Sequence, residues 1–270
     1  MEQITTIGLD LAKNVFQVHG VDVAGKVLVR KQLRRAEALR FFAALPPCLV
    51  GMEACGTAHH WARELTKLGH TVRLMPPAYV KPYVKRGKTD AADAAAIAEA
   101  ATRPTMRFVA VKTVDQQSVL MLHKVRELLV RQRTMLINAL RGHLAEFGVV
   151  AARGPGGVKA AIAALHQRQD GLPDLARQVL HGLIDQMRAI GGEIAKAEKR
   201  IMAWHRASDA SQRLATIPGI GPITASAIAA AVPDATLFRS GRPVRRLAWV
   251  DTARSQQRGK ATPRRHQQAG

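Results

Sequence analysis

"ITTIGLDLAKNVFQVHGVDVAGKVLVRKQL", residues 4–33, decides the fold of the first half of this chain. Apolar and β-branched residues alternate or run together along it, and turn signals stand at Ala12-Lys13-Asn14 and at Ala24-Gly25. This pattern is typical of short strands joined by tight turns. The stretch therefore predicts a meander of three strands.

Helix and strand patterns alternate after this meander. The order βββαβαβ, followed by one more helix, predicts a mixed α/β layout. The predicted helices cover residues 36–44, 57–68 and 90–101, and the predicted strands cover 48–53 and 71–75.

Long helices replace strands in the second half of the sequence. Residues 114–147 carry leucines among many Arg and Lys residues, and residues 172–204 carry apolar residues at near-heptad spacing from Leu175 onward. Such spacing predicts an antiparallel helix pair or, as the alternative, a dimeric coiled coil. Between the two helices, Gly-Pro-Gly-Gly at 154–157 predicts a linker or a loop.

The composition points to a polyanionic partner. The 270 residues include 41 Lys and Arg against 20 Asp and Glu, which gives a formal net charge of +21. A charge of this size most often serves nucleic-acid binding, although a GC-rich genome also produces basic proteins. Two cysteines exclude a disulfide framework. The start, MEQITTIGLD, lacks a basic segment followed by an apolar one, so we expect a cytoplasmic protein.

An uncharged run of twenty residues, 214–233, has the length of a membrane-spanning helix. Its Ile-Pro-Gly-Ile-Gly-Pro segment cannot begin as regular helix, so we expect no membrane partner. The segment resembles the second half of a helix-hairpin-helix. Gly219 and Gly221 would let backbone N–H groups approach a phosphate closely. The alternative is an ordinary tight turn before an alanine-packed helix.

Four acids stand where carboxylates could converge. Asp10 and Glu53 each end an apolar strand, and Asp90 and Asp93 lie three residues apart on one face of a predicted helix. A cation would neutralise such a cluster, and Mg²⁺ prefers oxygen ligands. Two ions about 4 Å apart would serve phosphodiester chemistry. Taken singly, each acid also fits a turn, a strand end, a helix N-cap or a first helical turn.

Basic residues lead directly into these acids. Positive charge beside a metal site would guide a phosphate backbone to it, although a solvated lysine-rich loop explains the pattern as well. The residues concerned are Lys81, Lys85, Arg86 and Lys88. A second enzyme hypothesis rests on "IGLDLAKN", which resembles the phosphate-binding start of actin-like phosphotransferases, but no second phosphate loop follows.

Nearly the whole chain to Arg242 resembles the DEDD transposases of bacterial insertion sequences, the "one-ten" family, which is related to pilin-gene inverting recombinases. The motifs are "IGLDLAKNVFQVHGVD", "GMEACGTAHHWARELTKLGHTVRLMPPAYVKPYVKRGKTDAADAAAIAEA" and "PGIGPITASAIAAAVPDATLFRSGR". The resemblance implies an α/β plus α fold: a RuvC-like domain with an RNase H fold at 1–110, a helical connector at 111–207, a partial C-terminal transposase domain containing the helix-hairpin-helix at 208–242, and a basic tail at 243–270.

The resemblance also implies how such a protein acts. The family's four acids map onto Asp10, Glu53, Asp90 and Asp93, which would be catalytic and hold Mg²⁺, two ions in all. A serine in the C-terminal domain would form a transient link to DNA, guided by a structured RNA. The implied partners are DNA, guide RNA and further copies of the chain. A nucleic-acid-binding remnant without catalysis is the non-enzyme alternative.

The resemblance ends after Arg242. Family members continue with a segment like "QFAAWLGLTPRQHSSGGK", whereas this chain has "PVRRLAWVDTARSQQRGKATPRRHQQAG". Codons for these residues, shifted by one nucleotide, can encode the family ending, including Ser-Ser-Gly-Gly-Lys at 256–260. A frame shift near Arg242 is therefore our hypothesis, and genuine divergence is the competing one. Ser255 does not align with the family serine and would not inherit its role.

Overall fold

A computed structural model describes residues 3–84, 89–150, 152, 154–167 and 172–232, except the side chains of 155, 161 and 164–167. The predictions for Lys85, Arg86, Lys88 and the tail after residue 232 lie outside the described residues. The chain divides after Thr113 into two compact units.

A five-stranded mixed sheet forms the first unit. Its order is β3-β2-β1-β4-β5, so β1 is central. β1, β2 and β3 pair antiparallel, which confirms the predicted meander, and β4 and β5 run parallel to β1. The strands are β1 (Thr6–Leu11), β2 (Val15–Val21), β3 (Val27–Arg34), β4 (Leu49–Glu53) and β5 (Thr71–Met75).

Among the described residues of this unit, four α-helices accompany the sheet. They are α1 (Ala38–Ala43), α2 (Ala58–Lys67), α3 (Pro77–Val80) and α4 (Asp90–Thr102). The larger apolar core lies on one face of the sheet, because alternate residues of a strand point to the same side. Its members include Ile7, Leu9, Phe16, Val18, Leu33, Val50 and Met52 from the strands and Phe42, Trp61 and Leu65 from α1 and α2.

The opposite face of the sheet packs against α4. This helix is rich in alanine, and Ala96, Ile97, Ala100 and Ala101 are buried with Met75 in a second apolar cluster. Small side chains let the helix axis approach the strands closely. Short side chains on the helix and on the strands therefore set the distance between α4 and the sheet. This distance also determines where the acids in the first turn of α4 lie.

The second unit is helical. The long helices α5 and α7 run antiparallel, since Arg126 of α5 pairs with Glu198 of α7 while Leu140 and Leu144 meet Leu180 and Ile184. This confirms the antiparallel pair. The helices are α5 (Val114–Glu146), α6 (Pro155–Gln167), α7 (Asp174–Ala207), α8 (Asp209–Ala215) and α9 (Pro222–Ala231).

The loop predicted at 154–157 is wrong over most of its length. Helix α6 begins at Pro155, and Gly154 before it has a φ of +91°. Proline is favourable at the first helical position. The N–H of that residue has no acceptor within a helix, so proline, which lacks this N–H, loses no hydrogen bond there. The Gly-Pro pair therefore marks the start of a helix. Among the described helices, none is both long enough and apolar enough to cross a membrane.

Candidate metal centre at the end of the central strand

Asp10 lies near the carboxyl end of β1. Ile7 and Leu9 are fully buried in the core on one face of the sheet, so Gly8 and Asp10 lie on the opposite face. This is the face that α4 covers. The alternation of a single strand therefore directs the Asp10 carboxylate towards α4, where it is half-buried.

Two glycines let α4 reach the sheet. A Cβ on Gly8 would lie 2.0 Å from the Ala94 carbonyl oxygen, and a Cβ on Gly51 would lie 2.6 Å from the Ala101 Cβ. No side chain fits at either position, so helix and strand meet almost backbone to backbone. Sequence reasoning missed both residues, although glycine inside an apolar strand is the expected signal of a close backbone approach.

Thr89 fixes where α4 begins. Its backbone is extended, and its Oγ1 accepts a hydrogen bond from the Ala92 N–H at 3.2 Å, which caps the helix. Asp90 and Asp93 then fall in the first turn, where the helix dipole favours negative charge. The sequence alone also allows Asp90 as the cap. A threonine directly before the Asp-rich turn was the signal that could have identified Thr89.

Three of the four predicted acids converge. Asp10, Asp90 and Asp93 each offer a carboxylate oxygen, and these oxygens lie within 4.8 Å of one another. Asp93 is half-buried and Asp90 is exposed. Burial raises the pKa of Asp10 above its usual value of 3.8, and the charges of Asp93 and then Asp90 raise this pKa further. The arrangement thus disfavours the ionised form of Asp10.

The donor set fits a hard divalent cation. All three groups are carboxylates, the ligand type that Mg²⁺ accepts, and Mg²⁺ commonly keeps several waters beside one or two of them. A cation would also offset the repulsion that raises the Asp10 pKa. Asp10, Asp90 and Asp93 could therefore hold Mg²⁺ at the open end of the sheet.

Glu53 lies close by but outside this group. β4 runs parallel to β1 with Met52 opposite Leu9, so Glu53 is next to Asp10 in the register. It is half-buried at the end of its strand. Within the described residues, it is not among the acids whose oxygens meet within 4.8 Å. The structure thus brings together Asp10, Asp90 and Asp93 and leaves Glu53 at their edge.

The other predicted site residues are more dispersed. Lys81 is exposed in a short 3-10 turn that follows α3, in the same unit as the acids. Gly219 and Gly221 belong to the second unit, in the turn between α8 and α9. Gly219 has a φ of +85°, which a glycine adopts without strain, and Gly221 is the N-cap of α9.

Comparison with known proteins favours one functional class. A family model for DEDD transposases of the IS110 type matches residues 7–148. A second model, for transposases of the IS116/IS110/IS902 family, matches residues 211–268. The first match contains all four predicted acids. The matches support a transposase and not the actin-like phosphotransferase.

Individual relatives agree with the two models. The chain is 51% identical to a probable family 20 transposase of Pseudomonas aeruginosa over 92% of its own length and 73% of the relative. It is 46% identical to a putative transposase, y4pF/y4sB, of Sinorhizobium fredii over 100% of its length and 67% of the relative. It is 41% identical to the transposase for insertion sequence element IS1111A of Coxiella burnetii, over 90% and 67%. The chain belongs to the IS110 family of insertion-sequence transposases.

Proposed function

We propose that this chain cuts and exchanges DNA strands at a Mg²⁺ site formed by Asp10, Asp90 and Asp93, with Glu53 completing the ligand set. The observation that carries the proposal is the convergence of three carboxylates from β1 and α4 within 4.8 Å. The mixed sheet, with its acid at the end of the central strand, supports a RuvC-like RNase H fold for this unit. The family membership supports DNA as the substrate.

The chemistry divides between the metal and the protein. Bound Mg²⁺ would polarise the scissile phosphate and favour ionisation of the attacking water or hydroxyl. The close approach at Gly8 places α4 beside Asp10, and the Thr89 cap fixes the turn that carries Asp90 and Asp93. Asp10, Glu53, Asp90 and Asp93 would together hold the two ions that we propose, which would stabilise the attacking and leaving oxygens of a phosphodiester reaction.

The acids are tested with the full chain and DNA duplexes copied from the borders of its gene. We expect Asp10→Asn and Asp93→Asn to lower the rate of Mg²⁺-dependent cleavage about a hundredfold or more, because loss of a residue that only supports a metal ligand already costs up to about a hundredfold. Asp185→Asn is the matched control, because Asp185 is exposed on α7 and pairs only weakly with Arg188. Cleavage that survives in Asp10→Asn would refute the assignment.

A second readout addresses the remnant hypothesis. If the wild-type chain binds DNA but does not cut it, calorimetry with Mn²⁺ still reports on the acid site. Asp10→Asn is then expected to abolish the heat of Mn²⁺ binding, and Asp185→Asn to leave it unchanged. A remnant that had lost the site would give no metal-dependent heat in any of the three proteins.

Nucleic-acid binding involves both DNA and a structured guide RNA in our proposal. The net charge of +21 supports polyanionic partners, and exposed Lys81 lies in the basic segment that precedes α4. Lys85, Arg86 and Lys88 would extend this basic segment. The turn with Gly219 and Gly221 supports a helix-hairpin-helix that contacts a phosphate. RNA transcribed from the element's flanks is expected to bind more tightly than an unrelated RNA of equal length.

Self-association is the further element of the proposal. Val114, Met121, Leu128 and Met135 of α5 are exposed and recur at seven-residue spacing. Apolar residues every seven positions form a stripe along one side of a helix, and such a stripe commonly packs against another helix. A second copy offers an identical stripe, so we propose a homo-oligomer that forms through α5.

The frame-shift hypothesis remains a proposal about the tail. Its support is the run of shifted codons compatible with the family ending after Arg242. The family match over 211–268 runs through this segment, as genuine divergence would produce. Sequencing the gene from the codon of Phe238 past the stop decides the question. We expect the next frame to spell Ser-Ser-Gly-Gly-Lys, and a closed or unrelated frame would refute the hypothesis.

A further inference from the structure

A row of polar side chains extends from the acid cluster across the sheet. Asp10 of β1 is directly opposite Gln17 of β2, and Gln17 is directly opposite Gln32 of β3. Residues that are paired across neighbouring strands point to the same face of a sheet. Gln17 and Gln32 therefore lie on the same side as Asp10, about 5 and 10 Å from it by the strand spacing.

Two arginines flank this row on β3. Arg30 and Arg34 are two residues either side of Gln32, so they share its face, while Leu33 points into the core on the other side. Arg30, Gln32 and Arg34 are all exposed. In the described part of the chain, neither guanidinium forms an ion pair with a carboxylate. Their charge is thus available to a partner.

We infer that Gln17, Arg30, Gln32 and Arg34, the strand platform, bind the phosphate backbone of the DNA strand that is cut at the acid cluster. Guanidinium groups bind phosphate bidentately, and the two glutamines can donate amide hydrogen bonds to phosphate oxygens. The two arginines are about 13 Å apart along β3, which allows contacts to separate phosphates of one strand. This inference rests on the proposed function of the acids.

Continuity with the acid cluster selects DNA as the occupant. The row begins at Asp10. A DNA strand with one phosphate at the carboxylates can therefore continue over Gln17 to β3 along the same face of the sheet. The acids alone repel a polyanion, and a basic surface beside them offsets this repulsion. The guide RNA of the proposed function is the other polyanion, and the experiment separates the two.

The test measures binding by the full chain in EDTA, so that no cleavage occurs. Fluorescence anisotropy follows labelled single-stranded DNA from the gene border over a series of salt concentrations. For Arg30→Gln/Arg34→Gln we expect weaker binding and a slope of log K against log salt reduced by about 1.4, the value for two lost phosphate contacts on a single strand. Circular dichroism melting confirms that the variant folds.

A control on the other face of the sheet matches the charge change. Lys31→Gln/Arg40→Gln also removes two positive charges. Lys31, however, lies on the sheet face opposite the platform, with its Nζ over the Phe41 ring, and Arg40 belongs to α1 on that opposite face. The salt slope of this control is expected to equal that of the wild type. Equal slopes for both double variants would overturn the inference and show that only net charge matters.

Two further outcomes have defined meanings. If the platform variant loses salt-dependent binding to the flanking RNA and keeps it for DNA, the DNA assignment is overturned. A failure of the proposed function gives a different result. In that case, cleavage or Mn²⁺ binding persists in Asp10→Asn. The strand platform is supported if the salt slope for DNA falls in Arg30→Gln/Arg34→Gln and stays unchanged in Lys31→Gln/Arg40→Gln.

Discussion

A Cβ atom on Gly8 would lie 2.0 Å from the carbonyl oxygen of Ala94 and 2.5 Å from the backbone nitrogen of Ala98. β1 and α4 therefore approach each other more closely than any side chain at position 8 would allow. Because α4 carries Asp90 and Asp93 in its first turn, this approach brings both acids to Asp10 at the end of β1. The geometry of the acid cluster thus depends on the absence of one methyl group.

Gly8→Ala is expected to separate α4 from the sheet. The methyl group would overlap backbone atoms, which cannot rotate away, so we expect a loss of about 3 kcal/mol in the free energy of unfolding. Urea denaturation of the two proteins measures the difference. Gly20→Ala is the matched control, because its methyl group would meet only side-chain atoms, of Ile4 and Val29, at 3.4–3.5 Å. Equal denaturation midpoints for the two variants would contradict the backbone contact.

Asp10→Asn is expected to raise the melting temperature in EDTA at neutral pH. The fold raises the pKa of Asp10 above 3.8, mainly by burial, so the folded protein holds this proton more tightly than the unfolded chain does. The stabilisation by that proton is complete below pH 3.8 and is lost as the pH rises through the folded pKa. Asparagine removes both the ionisation and the repulsion from Asp93.

Metal reverses this order of stability. Mg²⁺ at a concentration of one hundred times its dissociation constant stabilises the folded protein that binds it by about 2.7 kcal/mol. Wild type is therefore expected to melt above Asp10→Asn in Mg²⁺ and below it in EDTA, as measured by differential scanning fluorimetry. If Asp10→Asn melted below wild type in EDTA as well, the charge repulsion inferred for the cluster would be absent.

The sequence predicts the sheet better than the acid cluster. Local alternation was enough to place β1, β2 and β3, with Asp10 near the end of β1. The meeting of Asp10 with Asp90 and Asp93 depends on where α4 crosses the sheet, and this crossing depends on Gly8 and Gly51, which act through residues far along the chain. A glycine inside a strand indicates a close backbone approach but does not identify the helix that makes it, so the sequence predicts that these acids can converge and does not predict which of them meet.

The helical unit shows the same limit. The near-heptad pattern of α7 predicted a helix pair correctly, but it identified only part of the buried positions: Ile194 and Ile201 are buried as the pattern predicts. Leu175 is 73% exposed and Val179 is 54% exposed, while Leu180 and Ile184 are buried against α5. A heptad pattern indicates that a helix has an apolar side, and the choice among neighbouring apolar residues is made by the partner helix.

His123 is expected to make the second unit sensitive to acid. Its Nε2 lies 3.1 Å from Oγ of the fully buried Ser226, which joins α5 to α9. Burial, with a smaller effect of the Arg126 charge, lowers the pKa of His123 to about 4 from a usual 6.5. The neutral ring thus contributes stability that is complete above pH 6.5 and is lost as the pH falls towards 4.

Urea denaturation between pH 7 and pH 4 measures this contribution. We expect His123→Gln to remove on the order of 1–2 kcal/mol of the pH dependence, once the partial exposure of the ring is discounted. His143→Gln is the matched control on the same helix, because His143 is exposed. A wild-type slope that persists in His123→Gln would assign the acid sensitivity to other groups.

Met121→Glu/Leu128→Glu is expected to weaken self-association. Both side chains lie on the exposed stripe of α5, with Met121 64% and Leu128 48% exposed, so the substitution costs little in the monomer. At a helix–helix interface the same charges would be desolvated, at several kcal/mol for the pair. Analytical ultracentrifugation is therefore expected to show at least a hundredfold weaker association, since each 1.4 kcal/mol is a factor of ten.

Val23→Glu controls for the general effect of an added acid. Val23 is 91% exposed in the turn between β2 and β3 of the first unit. Its substitution should leave the association constant unchanged. If Met121→Glu/Leu128→Glu associates as tightly as wild type while remaining folded, the stripe is not the contact between copies, because two buried carboxylates could not be accommodated without a measurable loss of affinity.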